Sequence, residues 1–453
     1  MDTPRSPAAR SAAFLAELGD IPRAEDPALL RQKSRDFHWF SPVLKQALEG
    51  ARADLLLLPR SAEELERIAS ACARHRVPLT LRGGGTGNYG QCVPLSGGVV
   101  VETAGLERIL SLRPGAVRAE AGIRLQAIND AARPQGWELR LYPSTVRSSS
   151  LGGFLAGGAG GVGSCMWGIL AQPGNVLSAT VLTVEETPRR IELAGPELRL
   201  LLHGYGTTGI LLEAEVPLAA AHQWIECVFA FPRFAEAARF GRTLVEQNGI
   251  VKREVASIAW PGATHFRPIA EVVPEGAALV LASLADISVP AARALLAETG
   301  GEECLALDAA ACAARGMPPV YEFGWNHATL SALRARGGRG VTYLQVGLPP
   351  GGEIAMIEAI MAALPGEVVP QCEWVRLGAT VTCFGLHLVM TDSIPRLREI
   401  EAVYRSLGAT LKDAHAWDVE HGDPQPVHAE MAAFRRRVDP FGLLNPGKLL
   451  SAG

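Results

Sequence analysis

One segment constrains this chain more than any other: Arg82-Gly83-Gly84-Gly85-Thr86-Gly87-Asn88-Tyr89-Gly90-Gln91. Five of the eight residues from 83 to 90 are glycine, and the run begins where an apolar stretch at 77–82 ends. Such a loop brings almost no side chain to a core. It leaves main-chain N–H groups uncovered, and successive N–H groups that point inward form a nest for an anion such as a phosphate. Arg82 adds a positive charge beside it.

Residues 85–90 also fit Gly-x-Gly-x-x-Gly. A dinucleotide fingerprint of that kind must open a helix, with an acidic residue some way downstream. Here the loop runs into Val93-Pro94-Leu95-Ser96-Gly97-Gly98 and an expected strand at 98–102. The nicotinamide-dependent dehydrogenase reading therefore lacks its helix, and it stands as an alternative only.

A second small-residue stretch follows. Tyr142-Pro143-Ser144-Thr145-Val146-Arg147-Ser148-Ser149-Ser150 leads into Leu151-Gly152-Gly153-Phe154-Leu155-Ala156-Gly157-Gly158-Ala159-Gly160-Gly161-Val162-Gly163. A glycine-rich packing turn accounts for it equally well in isolation. Bare backbone with serine and threonine hydroxyls also suits a pyrophosphate and a flat aromatic ring.

The rest of the chain sets the scaffold. With 453 residues, 48% of them hydrophobic, two or three domains are expected. A strand at 54–58, a helix opened by the capping box at Ser61-Ala62-Glu63-Glu64, and strands at 77–82 and 98–102 begin an α+β half. Strands at 106–112, 116–120, 179–184 and 210–216 and a helix at 124–135 continue it. Near residue 222 the texture changes to strands and helices in alternation, as in an antiparallel sheet covered by helices. The expected units are 1–221, a second domain at 222–395, and a segment at 396–453 that returns to the first.

Four motifs then occur in order: Arg-Gly-Gly-Gly-Thr-Gly-x-x-Gly-Gln; Pro-Ser-Thr with Leu-Gly-Gly and Gly-Gly-x-Gly; Gly206-Thr207-Thr208-Gly209-Ile210-Leu211; and Asp439-Pro440-Phe441-Gly442-Leu443-Leu444-Asn445-Pro446-Gly447-Lys448. Together they resemble the vanillyl-alcohol oxidase / p-cresol methylhydroxylase (PCMH-type) family of FAD-linked oxidoreductases. The resemblance implies a PCMH-type FAD-binding domain split in sequence around an α+β cap domain. It also implies an enzyme that passes a hydride from a small alcohol, hydroxy acid or related C–H donor to FAD. Gly83, Gly84, Gly85, Thr86 and Gly87 would cradle the pyrophosphate, with Arg82, Asn88, Gly90 and Gln91 completing that loop. Pro143, Ser144, Thr145, Ser148, Gly152, Gly153, Gly157, Gly158 and Gly163 would line adenine, ribose and pyrophosphate. Ile210, after Gly209, would lie near the adenine, and Asn445 and Lys448 near the flavin ring.

Two departures matter. Many members carry a histidine in the first loop that bonds covalently to the flavin, and Thr86 stands there. Some carry a cysteine just before the Pro-Ser/Thr stretch, and Tyr142 stands there. Non-covalent FAD is the expectation.

On the substrate side, Tyr321-Glu322-Phe323-Gly324-Trp325-Asn326-His327 is the richest polar and aromatic cluster. Tyr321, His327, Arg376, His387 and His415 are the candidates for base and anion clamp. Glu373 and Arg376 have opposite parity on one strand, so at most one faces the cofactor unless a bulge intervenes. Each candidate has a plainer role open to it: His387 lies in an apolar strand and reads as core, Arg376 can pair with a carboxylate, and Tyr321 can be packed. His421 and His428 read as solvated. The His-x-Gly-x-Gly-x-x-His metal motif of the D-lactate and glycolate dehydrogenase branch is missing, so no catalytic metal is expected. Net charge is −4, which gives no reason to expect a nucleic-acid partner. No apolar run suffices for a transmembrane segment, and no secretory signal is read at the N-terminus. Eight scattered cysteines without Cys-x-x-Cys pairs fit reduced thiols in the cytoplasm. An electron-acceptor protein, a homo-oligomer, a flavin-binding subunit that needs such an acceptor, and a flavin-binding protein whose redox role is lost stay open.

Overall fold

The computed structural model describes residues 6–452. Three sheets follow one another along the chain. The first contains β1 (Arg23–Ala24), β2 (Leu55–Leu57), β3 (Leu79–Arg82) and β4 (Val99–Glu102) in the order β1-β2-β4-β3. β2, β4 and β3 run parallel, which requires a crossover, and the helix Ala62–His75 supplies it. Ser61 caps that helix by accepting from Glu64 N at 3.3 Å, while Glu64 reaches back to Arg60 N at 2.7 Å. The reciprocal bond thus goes one residue further back than in the standard capping box, and such a cap contributes about 1 kcal/mol. After β3 the chain reaches β4 with no helix between them, which excludes the dinucleotide-fingerprint geometry at the first glycine loop.

The second sheet holds β5 (Ile109–Arg113), β6 (Ala116–Glu120), β7 (Trp137–Leu139), β8 (Ser178–Leu182), β9 (Arg190–Ala194) and β10 (Ile210–Ala220), all antiparallel. The glycine-rich stretch is partly helical: Leu151–Gly157 forms a helix capped by Ser150, whose Oγ accepts from Gly153 N at 3.2 Å. Glycine is a poor helix former, so propensity hid this element. Its glycines serve contact. A Cβ on Gly152 would lie 2.8 Å from the Ala121 Cβ, inside van der Waals contact.

The third sheet is antiparallel and begins at β11 (Trp224–Phe231). It adds β12 (Lys252–Ile258), β13 (Ala278–Ala285), β14 (Glu302–Leu307), β15 (Thr342–Gly347), β16 (Val368–Val369), β17 (Gln371–Leu377), β18 (Thr380–Val389) and β19 (Thr410–Lys412). β19 lies beyond residue 395 and pairs with β15. The sheet has two distinct faces. Trp374 and Phe229 sit on the outer one, covered by the helix Phe234–Glu246: Trp374 bonds Ser257, whose Oγ reaches Ala237 O, and Phe229 packs on Phe240. The inner face turns toward the first two sheets. The helix Trp325–Ala335 lies on that side.

The chain then returns to the first sheet. Leu79 N donates to Leu443 O and Asn445 N to Leu79 O, at 2.9 and 2.7 Å, so the C-terminal motif runs alongside β3. Among the described residues no helix is long and apolar enough to cross a membrane.

Candidate functional site

The two glycine-rich segments meet. Thr86 Oγ1 lies 2.9 Å from Ser149 Oγ, and Gln91 Nε2 donates to Gly157 O at 2.8 Å. A Cβ on Gly83 would come within 2.1 Å of Ser150 Oγ, and one on Gly84 within 2.1 Å of Ser148 O. Only glycine permits this approach, and at Gly85, with φ +65°, the backbone itself also asks for it.

The other two motifs arrive at the same place. Tyr205 N donates to Ala156 O, and His203 Nδ1 contacts Gly158 O at 3.3 Å. Asn445, at φ +43°, donates through Nδ2 to Gln91 O and Tyr205 O at 2.8 and 2.6 Å. Lys448 Nζ donates to Gly90 O at 2.6 Å, and burial pushes its ammonium down to about 8. Asn445 and Lys448 therefore clamp the first loop from the tail. The Arg82 guanidinium is committed to the N-terminal segment, donating to Lys33 O and Arg35 O at 3.0 and 2.5 Å. Ile210 begins β10 beside Leu182, with Gly209 against the Val181 side chain.

The donor chemistry fits an anionic diphosphate. Among the described residues, no carbonyl or side chain accepts from the N–H groups of Gly84, Gly85, Thr86, Gly87 or Asn88. Amides left without protein partners in a partly buried loop need an acceptor from outside the chain. The second segment contributes mainly hydroxyls: Ser144, Thr145 and Ser148 lie at its turn, and Thr145 Oγ1 sits 2.7 Å from Ser149 Oγ. Pro143 precedes them, and Gly153 faces the first loop, 3.9 Å from Gly83 Cα by its Cβ position. Gly163 N is bound to Arg253 O at 2.6 Å, which ties the end of this segment to the third sheet.

The substrate-side candidates divide between the two faces of that sheet. Residues opposite one another in neighbouring antiparallel strands share a face. Glu373 pairs with Ala256 and Phe384, and Tyr343 with Leu388, so Glu254, Glu373, Tyr343 and Gln345 share the inner face. Arg376 and His387 lie on the outer face. Arg376 donates to Val245 O at 2.6 Å, at the carboxyl end of the Phe234–Glu246 helix, where a cation is favoured. His387 Nδ1 meets the Tyr404 hydroxyl at 2.8 Å, and burial holds the imidazole down at about 3. Tyr321 lies at the junction with the second sheet, edge-on to Tyr142 and under the Arg253 guanidinium. Arg253 in turn pairs with Glu226 at 2.7 Å.

His327 is in the first turn of the Trp325–Ala335 helix. Burial pushes it down to about 4, and its Nδ1 has no partner. His415 bonds Ser41 Oγ through Nδ1 at 2.8 Å; its Nε2 is unpartnered, its ring lies 6.1 Å from Tyr343, and burial lowers its pKa. Both are held neutral, as a proton acceptor must be at neutral pH. The structure thus does not gather the five candidates at one point.

It does gather Tyr89, Gln345 and Glu254, which were not among the candidates, together with Glu373, the residue that strand parity set against Arg376. The Tyr89 ring stacks near-parallel on Tyr205 at 6.3 Å, and its hydroxyl reaches Gln345 on the inner face. Burial pushes the Tyr89 hydroxyl up to about 12. Glu254 and Glu373 stand together under Trp325. The available signal was one glutamate inside each of the apolar strands β11, β12 and β17. The irregularity between Lys252 and Glu254, which reassigns faces on β12, has no sequence mark. Among the described residues, no group of three or more His, Cys, Asp or Glu is placed to hold a metal ion.

Comparison with known proteins agrees with this geometry. Residues 53–191 match the family model of an FAD binding domain. The chain is 33% identical to the glycolate oxidase subunit GlcD of Escherichia coli (strain K12) over 162 residues, covering 35% of this chain and 32% of that protein. It is 25% identical to GlcD of Bacillus subtilis (strain 168) over 443 residues, covering 88% and 89%. The match to the Escherichia coli protein thus spans about a third of that relative's length. A solved alkyldihydroxyacetonephosphate synthase superposes with a TM-score of 0.75 at 16% identity, covering 99% of this chain and 86% of that one, which fixes the fold. With an FAD-binding domain at 53–191, four converging motifs and this fold, the chain resembles the FAD-linked oxidoreductases of the vanillyl-alcohol oxidase / p-cresol methylhydroxylase type.

Proposed function

We propose that the chain is an FAD-dependent oxidoreductase that removes a hydride from a small organic substrate, an alcohol, hydroxy acid or related C–H donor, with FAD held non-covalently. The observation that carries this is the run of uncommitted amides at residues 84–88 facing the Ser148–Gly153 segment. The relatives' names, glycolate oxidase subunit and D-lactate and D-2-hydroxyglutarate dehydrogenase among them, support an oxidation.

FAD, when bound, supplies the hydride acceptor. The chain's own task is to orient the substrate and take up the accompanying proton. The first loop and the Ser144–Ser148 hydroxyls would hold the diphosphate, and Asn445 and Lys448 would fix the loop. His415 and His327, neutral with a free ring nitrogen each, are the bases this reading favours. Tyr321 would line the junction. Arg376 and His387 would act from the outer face only through the strands that carry them. Thr86 and Tyr142 offer neither imidazole nor thiol for a flavin link.

A second reading has one specific support: the similar proteins named GlcD are subunits. On that reading this chain reduces its flavin and hands the electrons to a partner protein. The eight cysteines are all free thiols, which favours a reducing compartment such as the cytoplasm. The test is anaerobic mixing of the purified chain with alcohols, hydroxy acids and amines. Bleaching of the flavin absorbance by one class supports the reading. A protein that holds flavin and is bleached by none of them leaves only the flavin-carrying, redox-inert role.

A further inference from the structure

We propose that Ser41 fixes the tautomer of His415 so that Nε2 carries the ring proton, which makes His415 a hydrogen-bond donor to the substrate and not its base. The proposal rests on the reading that a substrate is oxidised beside FAD, and it separates the two histidines which that reading names.

Ser41 lies in a stretch bound to the first glycine-rich loop, since Phe37 N donates to Gly87 O at 2.8 Å. It is fully buried. A hydroxyl has one proton to give and two lone pairs to receive. One lone pair is taken: Ser41 caps the helix Pro42–Ala47, and its Oγ accepts from Leu44 N at 3.0 Å. Among the described residues, the other polar atom within hydrogen-bond reach of Oγ is His415 Nδ1, at 2.8 Å. If Nδ1 held the ring proton, the Ser41 O–H would be left buried without an acceptor, which is costly. If Nδ1 is bare, the O–H donates to it and both groups are satisfied. Burial lowers the His415 pKa and keeps the ring neutral, so its single proton then sits on Nε2.

The surroundings of the ring agree. Asp413, two residues away, does not claim Nδ1; it accepts from the His415 main-chain N at 2.8 Å. The Tyr343 carbonyl, which can only accept, acts on the ring in the sense that favours a proton there. His38, three residues before Ser41, shows the opposite arrangement. Its Nδ1 lies 3.0 Å from Asp36 Oδ1, an oxygen that also accepts from His38 N at 2.9 Å. A carboxylate oxygen accepts, so Nδ1 of His38 is the donor.

The consequence for chemistry lies at the other ring nitrogen. His415 Nε2 is buried with no partner in the chain, and the ring lies 6.1 Å from that of Tyr343 on the inner face of the third sheet. An N–H there fits an acceptor oxygen of the substrate. With Nδ1 occupied by Ser41 and Nε2 protonated, the ring cannot take up the proton that leaves as the hydride passes to FAD. That proton falls to His327, whose Nδ1 is free.

Nitrogen-15 NMR of the full chain with labelled histidine reads the tautomer directly, because bare and protonated ring nitrogens resonate far apart. The His415 signals are those lost in His415→Gln. They should show Nε2 protonated and Nδ1 bare. Ser41→Thr keeps the hydroxyl and should keep this state. Ser41→Asp keeps a helix cap but only accepts, and should move the proton to Nδ1. Anaerobic mixing with a donor that bleaches the flavin gives a second readout. His415→Gln, whose amide donates but takes up no proton, should reduce the flavin about tenfold or more faster than His415→Ala. A proton on Nδ1 in the unaltered chain overturns the proposal. So does an unchanged tautomer in Ser41→Asp, or a glutamine variant no faster than the alanine one. If Ser41→Asp fails to fold, the unaltered chain and Ser41→Thr decide. A chain that neither carries nor takes up FAD overturns the functional reading instead, and the tautomer is still read on that chain.

Discussion

Thr86 Oγ1 and Ser149 Oγ stand 2.9 Å apart, joining two loops that are 63 residues apart in sequence. A threonine at this point offers neither the imidazole nor the thiol of a covalent flavin link, and non-covalent FAD is the proposal tested here. Precipitating the holoprotein in acid should leave all of the flavin in the supernatant. Flavin that stays with the pellet would contradict non-covalent binding.

Gly84 admits no side chain, because its Cβ would meet Ser148 O at 2.1 Å. Gly84→Ala should lower stability by about 2 kcal/mol through overpacking and reduce FAD content sharply. Gly115→Ala is a control for backbone strain alone, since its φ is +81° but no atom lies within 4 Å of its Cβ position. That variant should lose stability and keep FAD. Melting curves and flavin-to-protein ratios separate the two effects.

His415 and His327 are each neutral with one ring nitrogen free. Replacing the one that takes the substrate proton by alanine should slow flavin reduction about 100-fold or more, with FAD content unchanged. Rapid-mixing absorbance decides between them. Unchanged rates in both variants would remove both from the chemistry.

Glu254 and Glu373 have their pKa values raised by burial. In the folded chain they hold protons that the unfolded chain releases above the ordinary carboxyl value of 4.5. Their contribution to stability is therefore complete below that pH and is lost as pH rises through the folded values. Glu254→Gln should raise the melting temperature at pH 8 and change it little at pH 4. His327 and His387, lowered to about 4 and about 3, act in the opposite sense. Each destabilises the fold as pH falls below the ordinary imidazole value of 6.5, so Tm measured from pH 7 to pH 4 should fall, and His387→Gln should flatten part of that fall.

Much of this was legible in the sequence for physical reasons. The loop at 82–91 could be read because nothing but close approach to backbone or ligand explains five glycines there. The strands at Trp224–Phe231 and Ala278–Ala285 and the helix at Glu353–Ala363 showed clear apolar patterns. The helix at Leu151–Gly157 did not, because glycine propensity argues against it and only its packing on Gly83 and Ala121 explains it. The split of substrate-side candidates was half visible: parity put Glu373 and Arg376 on opposite faces. Which face meets the glycine-rich segment depends on tertiary packing, and no local pattern reveals it. The same holds for Tyr89 and Gln345, 256 residues apart and in contact.

On the proposed reading the amides of residues 84–88 and the Ser148–Gly153 segment hold one FAD between them. The direct measurement is the visible spectrum and FAD stoichiometry of the purified chain beside Gly84→Ala. The expected result is a yellow protein with about one FAD per chain, and a variant that loses it. A colourless protein that takes up no FAD on titration, or a variant that retains FAD as firmly as the unaltered chain, would contradict it.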